Sequence, residues 1–463
     1  MEHSRWLKKV KVRGFRGIVS YQELKLAIPD NKNPGSGLTI LVGPNGGGKS
    51  TFLEIISLIG NNSDEIMIQE IARNEKTNGE VCIQINYTDG TALEMNNLSP
   101  NYLLKRVQSA NQGSMAGKVY QVPSRRQLDT NFSRSKTPRS GYSQESTTLR
   151  IERDGFSRPI ARLVDLAEDT GAKETFDALL KDILGFGLDW KLDLRQTNFY
   201  FKISTSSGTH DTSGLGFGII SLIFVLDGLR DLTPGDLVII DEPELSQHPS
   251  VQRRLSKLLV EKSKDNQIVI ATHSPYFADI SSLDSGTEIA RVANSRGTKV
   301  YQMSDNTKAS LLKLKNDLNN PHTVGLEARE VLFLDEGVIL SEGQDDVVLL
   351  PKLANQVKEE LKFTLYGWGV GGAEKMEIIC NILKDLGLKK VIGLLDSDRT
   401  RLAAKLRRMF PKYRFFTLPA ADIRDKKARK ATGAKPGMST SSGKIYSKYE
   451  DDFVRLVKEM NSL

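Results

Sequence analysis

Short apolar runs alternate with amphipathic stretches through the first part of this chain. The runs at residues 38–42, 237–240 and 267–271 are apolar at nearly every position, which is typical of strands buried on both faces of a sheet. Residues 52–59 and 251–262 follow two of these runs and carry apolar positions at helical spacing. This alternation of strands and helices predicts a largely parallel α/β sheet.

The stretches around these runs have weaker patterns. Residues 5–28 predict two strands joined by a glycine-containing turn, and residues 81–87 alternate like a strand. Residues 99–148 are rich in Ser, Gly, Asn and Gln, so we expect loops there. Residues 165–190 show helical spacing, and residues 209–228 predict a polar turn that leads into an apolar helix.

A second α/β pattern begins near Arg329. An apolar run ends at Leu340, a helical stretch reaches about Leu353, and a glycine turn precedes another helix that ends near Leu386. The run at residues 390–395 predicts a further buried strand. We therefore predict an α/β fold with two domains, at residues 1–325, with a variable insertion at about 61–200, and at residues 329–463.

Composition narrows the class of protein. The 463 residues are 39% hydrophobic and 26% charged, enough for two or three domains with ample cores. No secretory signal or membrane-length apolar run is visible, and two cysteines offer neither a disulfide framework nor a zinc site. We expect a cytoplasmic protein with no membrane partner.

The positive charge is concentrated near the C-terminus. Residues 399–463 hold 17 lysines and arginines against six acids, an excess of 11 charges in a chain whose net charge is +8. Such a face is the electrostatic footprint of a polyanion partner, while a solvated basic surface is the alternative.

A phosphate-binding loop follows the first apolar run. The sequence GPNGGGKS at residues 43–50 fits the P-loop pattern at every fixed position, between a predicted strand and a predicted helix. Its backbone N–H groups and the helix N-terminus bind phosphates, Lys49 reaches the β- and γ-phosphates, and Ser50 holds Mg²⁺. The alternative is a glycine-rich turn with a chance lysine. The predicted nucleotide-binding residues here are Asn45, Gly46, Gly48, Lys49, Ser50 and Thr51.

Two later strand ends complete a predicted nucleotide site. Asp241 follows four apolar residues, as a Walker B aspartate does, and joins Ser50 in the Mg²⁺ site. Glu242 is placed to orient or deprotonate the attacking water, and His273 ends a neighbouring strand, from which it reaches the γ-phosphate. A lone strand-end histidine is otherwise often structural.

The order GPNGGGKS, DEPE, ATHSP resembles ABC-type ATPases of the SMC and RecF-like branch. The resemblance implies ATP sandwiched between two heads of a homodimer. It also implies that a Ser-Gly signature, here Ser213 and Gly214, contacts the γ-phosphate in trans, although DTSGLG departs from the usual LSGGQ. Gln121 and Gln127 are weak choices for the Q-loop.

Four carboxylates mark the second region. Glu342 follows a predicted buried strand, with Asp346 one helical turn later, and Asp396 and Asp398 follow another strand with side chains expected on one side. Brought together, these acids would repel one another unless divalent cations bind them. The combination predicts a Mg²⁺ or Mn²⁺ site for phosphodiester chemistry. Separate helix-capping and turn acids are the alternative.

The EGQDD and DSD sequences resemble the motifs of a TOPRIM domain, and an ABC-type ATPase followed by TOPRIM resembles the OLD family (overcoming lysogenization defect). This resemblance implies an ATP-regulated, two-metal DNA endonuclease of phage defence, with Glu242, Glu342, Asp396 and Asp398 catalytic. Asp422 is a candidate for an additional ligand and Lys444 for an assisting lysine. The implied partners are DNA, a second copy of the chain, a higher oligomer, and a companion defence protein or RNA/DNA element.

Other functions stay open at this point. An ATPase sensor or scaffold would bind nucleic acid or a partner without cutting, and convergence of the four carboxylates separates it from the nuclease. A transporter ATPase does not account for those carboxylates, and no tyrosine-nucleophile domain of a topoisomerase is recognisable.

Overall fold

The structure is a computed structural model. It describes residues 5–60, 65–68, 72–97, 103–107, 117–122, 124, 163, 166–195, 198–205, 208–211, 216–230, 232–278, 280–294, 296–315, 322, 325–333, 337–426 and 434–462. The chain forms two compact units, Met1–Val300 and Tyr301–Leu463.

An antiparallel sheet begins the first unit, in the order β2-β1-β5-β6-β7-β4. In β1, buried apolar residues alternate with lysines, so one face of the strand packs inward. Its strands are β1 Leu7–Arg13, β2 Gln22–Lys25, β4 Glu65–Met67, β5 Cys82–Tyr87, β6 Ala92–Asn96 and β7 Leu103–Arg106.

A second sheet carries the predicted nucleotide site, in the order β15-β14-β3-β13-β12-β8. The pairs β14/β3, β3/β13, β13/β12 and β12/β8 are parallel, which confirms the parallel α/β prediction. Its strands are β3 Leu38–Val42, β8 Val119–Val122, β12 Leu237–Asp241, β13 Gln267–Ala271, β14 Glu288–Asn294 and β15 Thr298–Gln302.

The helices of the first unit follow from local sequence signals. Helix α1 (Lys49–Ser57) lies between the two sheets, and Phe52 and Ile55 join the apolar core shared with both. The other helices are α2 Thr170–Leu184, α3 Phe217–Leu229 and α4 Pro249–Lys262. A small antiparallel sheet consists of β9 Asp189–Arg195, β10 Asn198–Thr205 and β11 Gly208–Asp211.

Two sequence expectations in this unit are wrong. Residues 99–148 are not all loop, because β7 and β8 lie there and β8 pairs with β12. Backbone pairing needs no long apolar pattern, so strands of four residues escape detection. The helix expected at 165–190 ends at Leu184, because Gly185 takes φ 86° and caps it, and Trp190 belongs to β9.

The second unit is built on a parallel sheet in the order β17-β16-β18-β19. Helices α7 and α10 contribute Leu350 and Phe453 to its apolar core. The strands are β16 Val338–Leu340, β17 Thr364–Leu365, β18 Val391–Leu395 and β19 Arg414–Thr417. The helices are α5 Asp305–Lys315, α6 Leu326–Glu330, α7 Gln344–Gln356, α8 Met376–Asp385, α9 Thr400–Met409 and α10 Ser447–Asn461.

The division between the units falls earlier in the chain than the sequence pattern places it. Helix α5 packs against α8 of the second unit. Ser304, just before α5, donates from its N–H and its Oγ to Asp385 Oδ2 at 2.9 and 2.8 Å. These contacts join residues 301–315 to the second unit, and helical spacing alone cannot show which sheet a helix packs on.

Candidate functional sites

The P-loop is shaped by close backbone packing. Gly43 has φ 132°, and a Cβ at this position would lie 2.2 Å from the carbonyl oxygen of Val292 in β14. A Cβ on Gly47 would lie 2.4 Å from the same oxygen. Larger residues would push the loop away from β14. The glycines therefore place the loop in front of α1, with Gly48 at the N-cap.

The lysine of the loop is buried beneath it. Lys49 is 5% exposed, and its Nζ donates to the carbonyl oxygens of Gly43 and Pro44, each at 3.0 Å. Burial lowers the pKa of Lys49 to about 8, while the charges of Asp241 and Glu242 act in the opposite direction. The ammonium thus lies in a site of low polarity where its attraction for phosphate is strong.

The strand order explains why distant residues meet. Strands β3, β13 and β12 are neighbours and parallel, so their carboxyl ends share one edge of the sheet. Ser50 Oγ donates to Asp241 Oδ2 at 2.8 Å. This pairing of a P-loop serine with a strand-end aspartate has the composition of a Mg²⁺ site beside bound phosphates.

Glu242 and His273 lie at the same edge. Glu242 has φ 51°, a left-handed conformation that a glutamate adopts rarely and at a cost of about 1–3 kcal/mol. His273 follows β13, where burial, and then the charge of Lys49, lowers its pKa to about 4. The imidazole is therefore neutral at physiological pH and can donate only one hydrogen bond.

Glu244 is a site residue that the sequence interpretation did not assign. Its carboxylate accepts from Thr272 Oγ1 at 2.8 Å and from the His273 N–H at 2.5 Å. Burial raises the pKa of Glu244, and the nearby charge of Glu242 adds to that effect. Glu244 therefore ties the loop after β12 to the end of β13.

Some of the remaining residues predicted for the nucleotide site lie in the described part of the chain, and others do not. Asn45, Gly46 and Thr51 lie in the P-loop and the first turn of α1, and Gln121 lies in β8. Ser213, Gly214 and Gln127 lie outside the described residues.

In the second unit, neighbouring parallel strands again bring acids together. Strands β16 and β18 are adjacent, so the residues after Leu340 and Leu395 meet. Glu342 Oε1 accepts a hydrogen bond from the Asp396 N–H at 2.9 Å. Asp346 Oδ2 accepts from the Gly343 N–H at 3.0 Å and caps α7.

Asp422 joins these acids from the segment after β19. Asp346 and Asp396 are each 8% exposed, and Asp422 is 3% exposed. Burial raises the pKa of Asp396 to about 8, and the charges of Glu342, Asp422 and Asp346 add to it. Burial likewise raises the pKa of Asp346 to about 7. We call Glu342, Asp346, Asp396 and Asp422 the carboxylate cluster.

Asp398 does not follow the expected geometry. The strand ends at Leu395, and Ser397–Arg399 form a 3₁₀ turn, so the two-residue alternation of a strand does not apply. The Asp398 side chain is 43% exposed and pairs with Lys435 Nζ at 3.0 Å. Strand alternation is therefore not what positions Asp396 and Asp398, although Lys435 Nζ lies near both carboxylates, at 3.9 and 3.0 Å.

Lysines approach the cluster from one short segment. Backbone hydrogen bonds join Lys426 and Lys435 in both directions at 3.0 Å. Lys426 Nζ lies 2.7 Å from Asp422 Oδ2, and Lys435 Nζ lies 3.9 Å from Asp396 Oδ2. Lys444, the lysine chosen from sequence, is exposed.

Part of the C-terminal positive charge is therefore used inside the second unit. Besides these lysines, the Arg407 guanidinium donates twice to the Phe415 carbonyl oxygen.

The described acids of the second unit are suitable metal ligands by type, but their arrangement in the structure is not that of a metal site. Buried carboxylates are the oxygen ligands that Mg²⁺ and Mn²⁺ prefer. Within the described ranges, however, no group of three or more His, Cys, Asp or Glu side chains has an arrangement that could hold a metal ion. Two of the carboxylates accept backbone N–H bonds instead, and lysine lies against a third.

The cluster predicts a pH-dependent stability. The pKa of the Asp396 carboxyl is ordinarily 3.8 and is about 8 in the folded chain. The folded chain therefore binds this proton more tightly than the unfolded chain, and protonation stabilises the fold. That stabilisation is fully present below the ordinary pKa and is lost as the pH rises through the folded pKa. We expect the metal-free unfolding midpoint to fall between about pH 5 and pH 8, and Mg²⁺ to restore it at the higher pH.

Thermal unfolding in chelator and in Mg²⁺ measures this effect. Asp396→Asn should flatten the dependence, and Glu450→Ala, an exposed acid of α10, should retain it. A metal-free midpoint that rises over this pH range would contradict the prediction.

Two protein-family models match residues of the first unit. The family model described as "AAA domain, putative AbiEii toxin, Type IV TA system" matches residues 85–279, and "AAA ATPase domain" matches residues 6–148. These matches support a P-loop ATPase fold. The SMC head domain from Thermotoga maritima overlaps 64% of this chain and 99% of its own length at 14% identity and TM-score 0.36, too low to bear on the argument.

Three named relatives match part of this chain. OLD nuclease of Thermus scotoductus is 27% identical over 60% of this chain and 52% of its own length. Endonuclease GajA of Bacillus cereus is 29% identical over 43% and 33%, respectively. Septu protein PtuA of Bacillus thuringiensis is 26% identical over 60% and 74%.

The chain is similar to an OLD nuclease and to two other named proteins. This similarity supports the OLD-family resemblance drawn from its motifs. The chain spans about half the length of the OLD nuclease and a third of GajA. None of the helices that the structure describes has the length and hydropathy to cross a membrane.

The structure adds residues to both sites that the sequence motifs do not include. Asp422 carried a weak signal, since it follows the strand after DSD by a few residues. Lys426 was visible only as part of the basic C-terminal segment, and the approach of Lys435 depends on its backbone pairing with Lys426. Glu244 stood within the DEPE sequence, but its role depends on contacts with Thr272.

Proposed function

We propose that this chain is an ATP-dependent, divalent-metal-dependent DNA endonuclease of bacterial phage defence. The observation that carries the proposal is the meeting of Glu342, Asp346, Asp396 and Asp422 at the carboxyl ends of β16, β18 and β19. Three of these acids are less than a tenth exposed. Buried carboxylates that raise one another's pKa favour a nearby cation, and the names of two relatives, a nuclease and an endonuclease, support phosphodiester cleavage.

In this proposal, Glu342 and Asp396 hold Mg²⁺ or Mn²⁺, and Asp346, Asp398 and Asp422 complete the shells. The second unit acts as a TOPRIM-like nuclease domain. The metal supplies an activated water and stabilises charge on the phosphate. With a cation bound, Lys435 would be free to contact a DNA phosphate. Asp346 would serve as a ligand through a carboxylate that accepts the Gly343 N–H.

The first unit supplies nucleotide control. Lys49, Ser50 and Asp241 bind ATP with Mg²⁺, Glu242 activates the attacking water, and His273 contacts the γ-phosphate. Two copies form a dimer through their ATPase units, with Ser213 and Gly214 completing the partner's site. Higher oligomers and a companion defence protein or nucleic-acid element belong to the same proposal.

The lysine pairing favours one second candidate, an ATPase sensor or scaffold that binds nucleic acid without cutting. Lys435 already neutralises Asp396 and Asp398, as an internal counter-ion would in a domain that needs no metal.

Incubation of the full chain with plasmid and linear DNA tests the proposal, with Mg²⁺ or Mn²⁺ and with or without ATP. We expect nicking or cutting that needs the metal. Retained DNA binding without cleavage under every condition would favour the scaffold.

A further inference from the structure

One tryptophan differs from the other two in its environment. The chain has three tryptophans, of which Trp6 and Trp190 are 6% and 1% exposed. Trp368 is 42% exposed, although it lies in the second unit between the buried residues Tyr366 and Val370. Leaving so large an apolar ring in water forgoes the free energy of its burial, so its exposure calls for a physical reason.

The loop that carries Trp368 is held in one backbone conformation. Its four glycines, at positions 367, 369, 371 and 372, all have positive φ, a region in which other residues are strained. The Gly369 N–H donates to the Tyr366 carbonyl oxygen at 2.9 Å. The His322 ring donates from Nδ1 to the Trp368 carbonyl oxygen at 2.7 Å. Backbone contacts thus fix the position of Trp368 without using its side chain.

The same loop lies against the backbone that carries Glu342. The Val370 N–H donates to the Ser341 carbonyl oxygen, and the Gly372 N–H to that of Glu342, each at 2.8 Å. A Cβ on Gly369 would lie 2.7 Å from the Gly343 backbone, so the two chains touch there. The loop that carries this exposed indole therefore packs against the backbone of Glu342 and its neighbours.

We propose that Trp368 is a base-stacking residue that binds an unpaired nucleobase of a nucleic-acid strand beside the carboxylate cluster. This inference rests on the proposed function and deepens it, since it names the form of DNA that the site accepts. An indole stacks on any base, because every base has a π-face. Stacking there would position the neighbouring phosphate at the cluster, and a fully paired duplex offers no free base face.

The charge around the site favours a nucleic acid over a protein surface as the occupant. Lys426 and Lys435 lie at the cluster from one side, and Arg399, beside Asp398, is exposed. A backbone of phosphates is attracted by such groups, while its bases can stack on the ring. The basic side chains therefore suit the phosphates of a single strand, and the exposed ring suits its bases.

Fluorescence of the full chain tests this directly. The probe is a phosphorothioate oligothymidylate, which resists cleavage, and its binding is followed separately by the anisotropy of an attached dye. Because only Trp368 of the three tryptophans is exposed, we expect quenching of tryptophan emission on binding. We expect Trp368→Phe to bind nearly as well as the original chain but to lose the quenching.

The affinity of variants tests the contribution of the ring. Trp368→Ala should bind the oligothymidylate about 5- to 150-fold more weakly, the range that corresponds to loss of one stacked base. Its binding to a blunt duplex should change little. Phe186 is an aromatic residue of the first unit that is also exposed, so Phe186→Ala is the matched control and should leave both affinities unchanged.

Several results would overturn the inference. The first is that anisotropy shows no binding of oligothymidylate. The second is binding without a change in tryptophan emission, and the third is equal affinity of the original chain and Trp368→Ala. A change in emission with protein concentration alone would assign the ring to a protein contact instead. If DNA is cut but Trp368→Ala binds normally, the stacking site is wrong and the nuclease stands. If nothing is cut but stacking is observed, the nuclease is wrong and the base site stands.

Discussion

Replacing Asp396 with alanine should abolish DNA cleavage and leave ATP hydrolysis intact. Asp396 follows β18 directly and is 8% exposed among the other acids of the cluster. Metal-assisted hydrolysis requires ligands held rigidly by the fold, so loss of this carboxylate removes the cation that activates water. The ATPase residues belong to the other compact unit, and nucleotide turnover should therefore continue.

Nicking rates and ATPase rates measured on the same preparations check this prediction. Glu342→Ala should behave like Asp396→Ala, because its carboxylate bonds the Asp396 backbone at the same edge. Glu450→Ala, which removes an exposed acid of α10, is the control for charge and folding and should cut normally. Cleavage by pure Asp396→Ala protein would remove the nuclease assignment and leave the scaffold.

Lys49→Ala and Glu242→Gln should both lose ATP hydrolysis, but for different reasons. The first change removes a buried ammonium directed at phosphate, so nucleotide binding itself should weaken. The second keeps the shape of the side chain but removes a proton acceptor, and we expect turnover to fall by about 10²- to 10⁴-fold. ATP should stay bound in Glu242→Gln and increase the fraction of dimer.

Steady-state hydrolysis, nucleotide binding and mass in solution separate these outcomes. Lys257→Ala, an exposed lysine of α4, should hydrolyse ATP at the original rate. Unchanged turnover in Glu242→Gln would show that another group activates the water, and Glu244, the buried carboxylate bonded to Thr272 and His273, would then be the next residue to replace.

The sequence predicts the phosphate-binding loop more completely than it predicts the carboxylate cluster. Residues 38–51 contain a buried strand, a glycine loop and a helix start in one continuous stretch, and the local backbone alone creates the phosphate site. Asp241 and Glu342 were visible because a polar residue after an apolar run marks the carboxyl end of a strand. Whether those ends met required strand order, which periodicity does not encode.

The sequence by itself determined the apolar runs that form the buried strands β3, β12 and β13, the helices that follow two of them, and the glycine loop. These features depend on side-chain periodicity and on local backbone preference. Only the tertiary structure decided that Lys435 reaches both Asp396 and Asp398, that Asp398 lies in a 3₁₀ turn, and that Gly369 packs on Gly343. Such contacts join segments far apart in the chain, and packing rather than local propensity fixes them, so no pattern in either segment alone contains them.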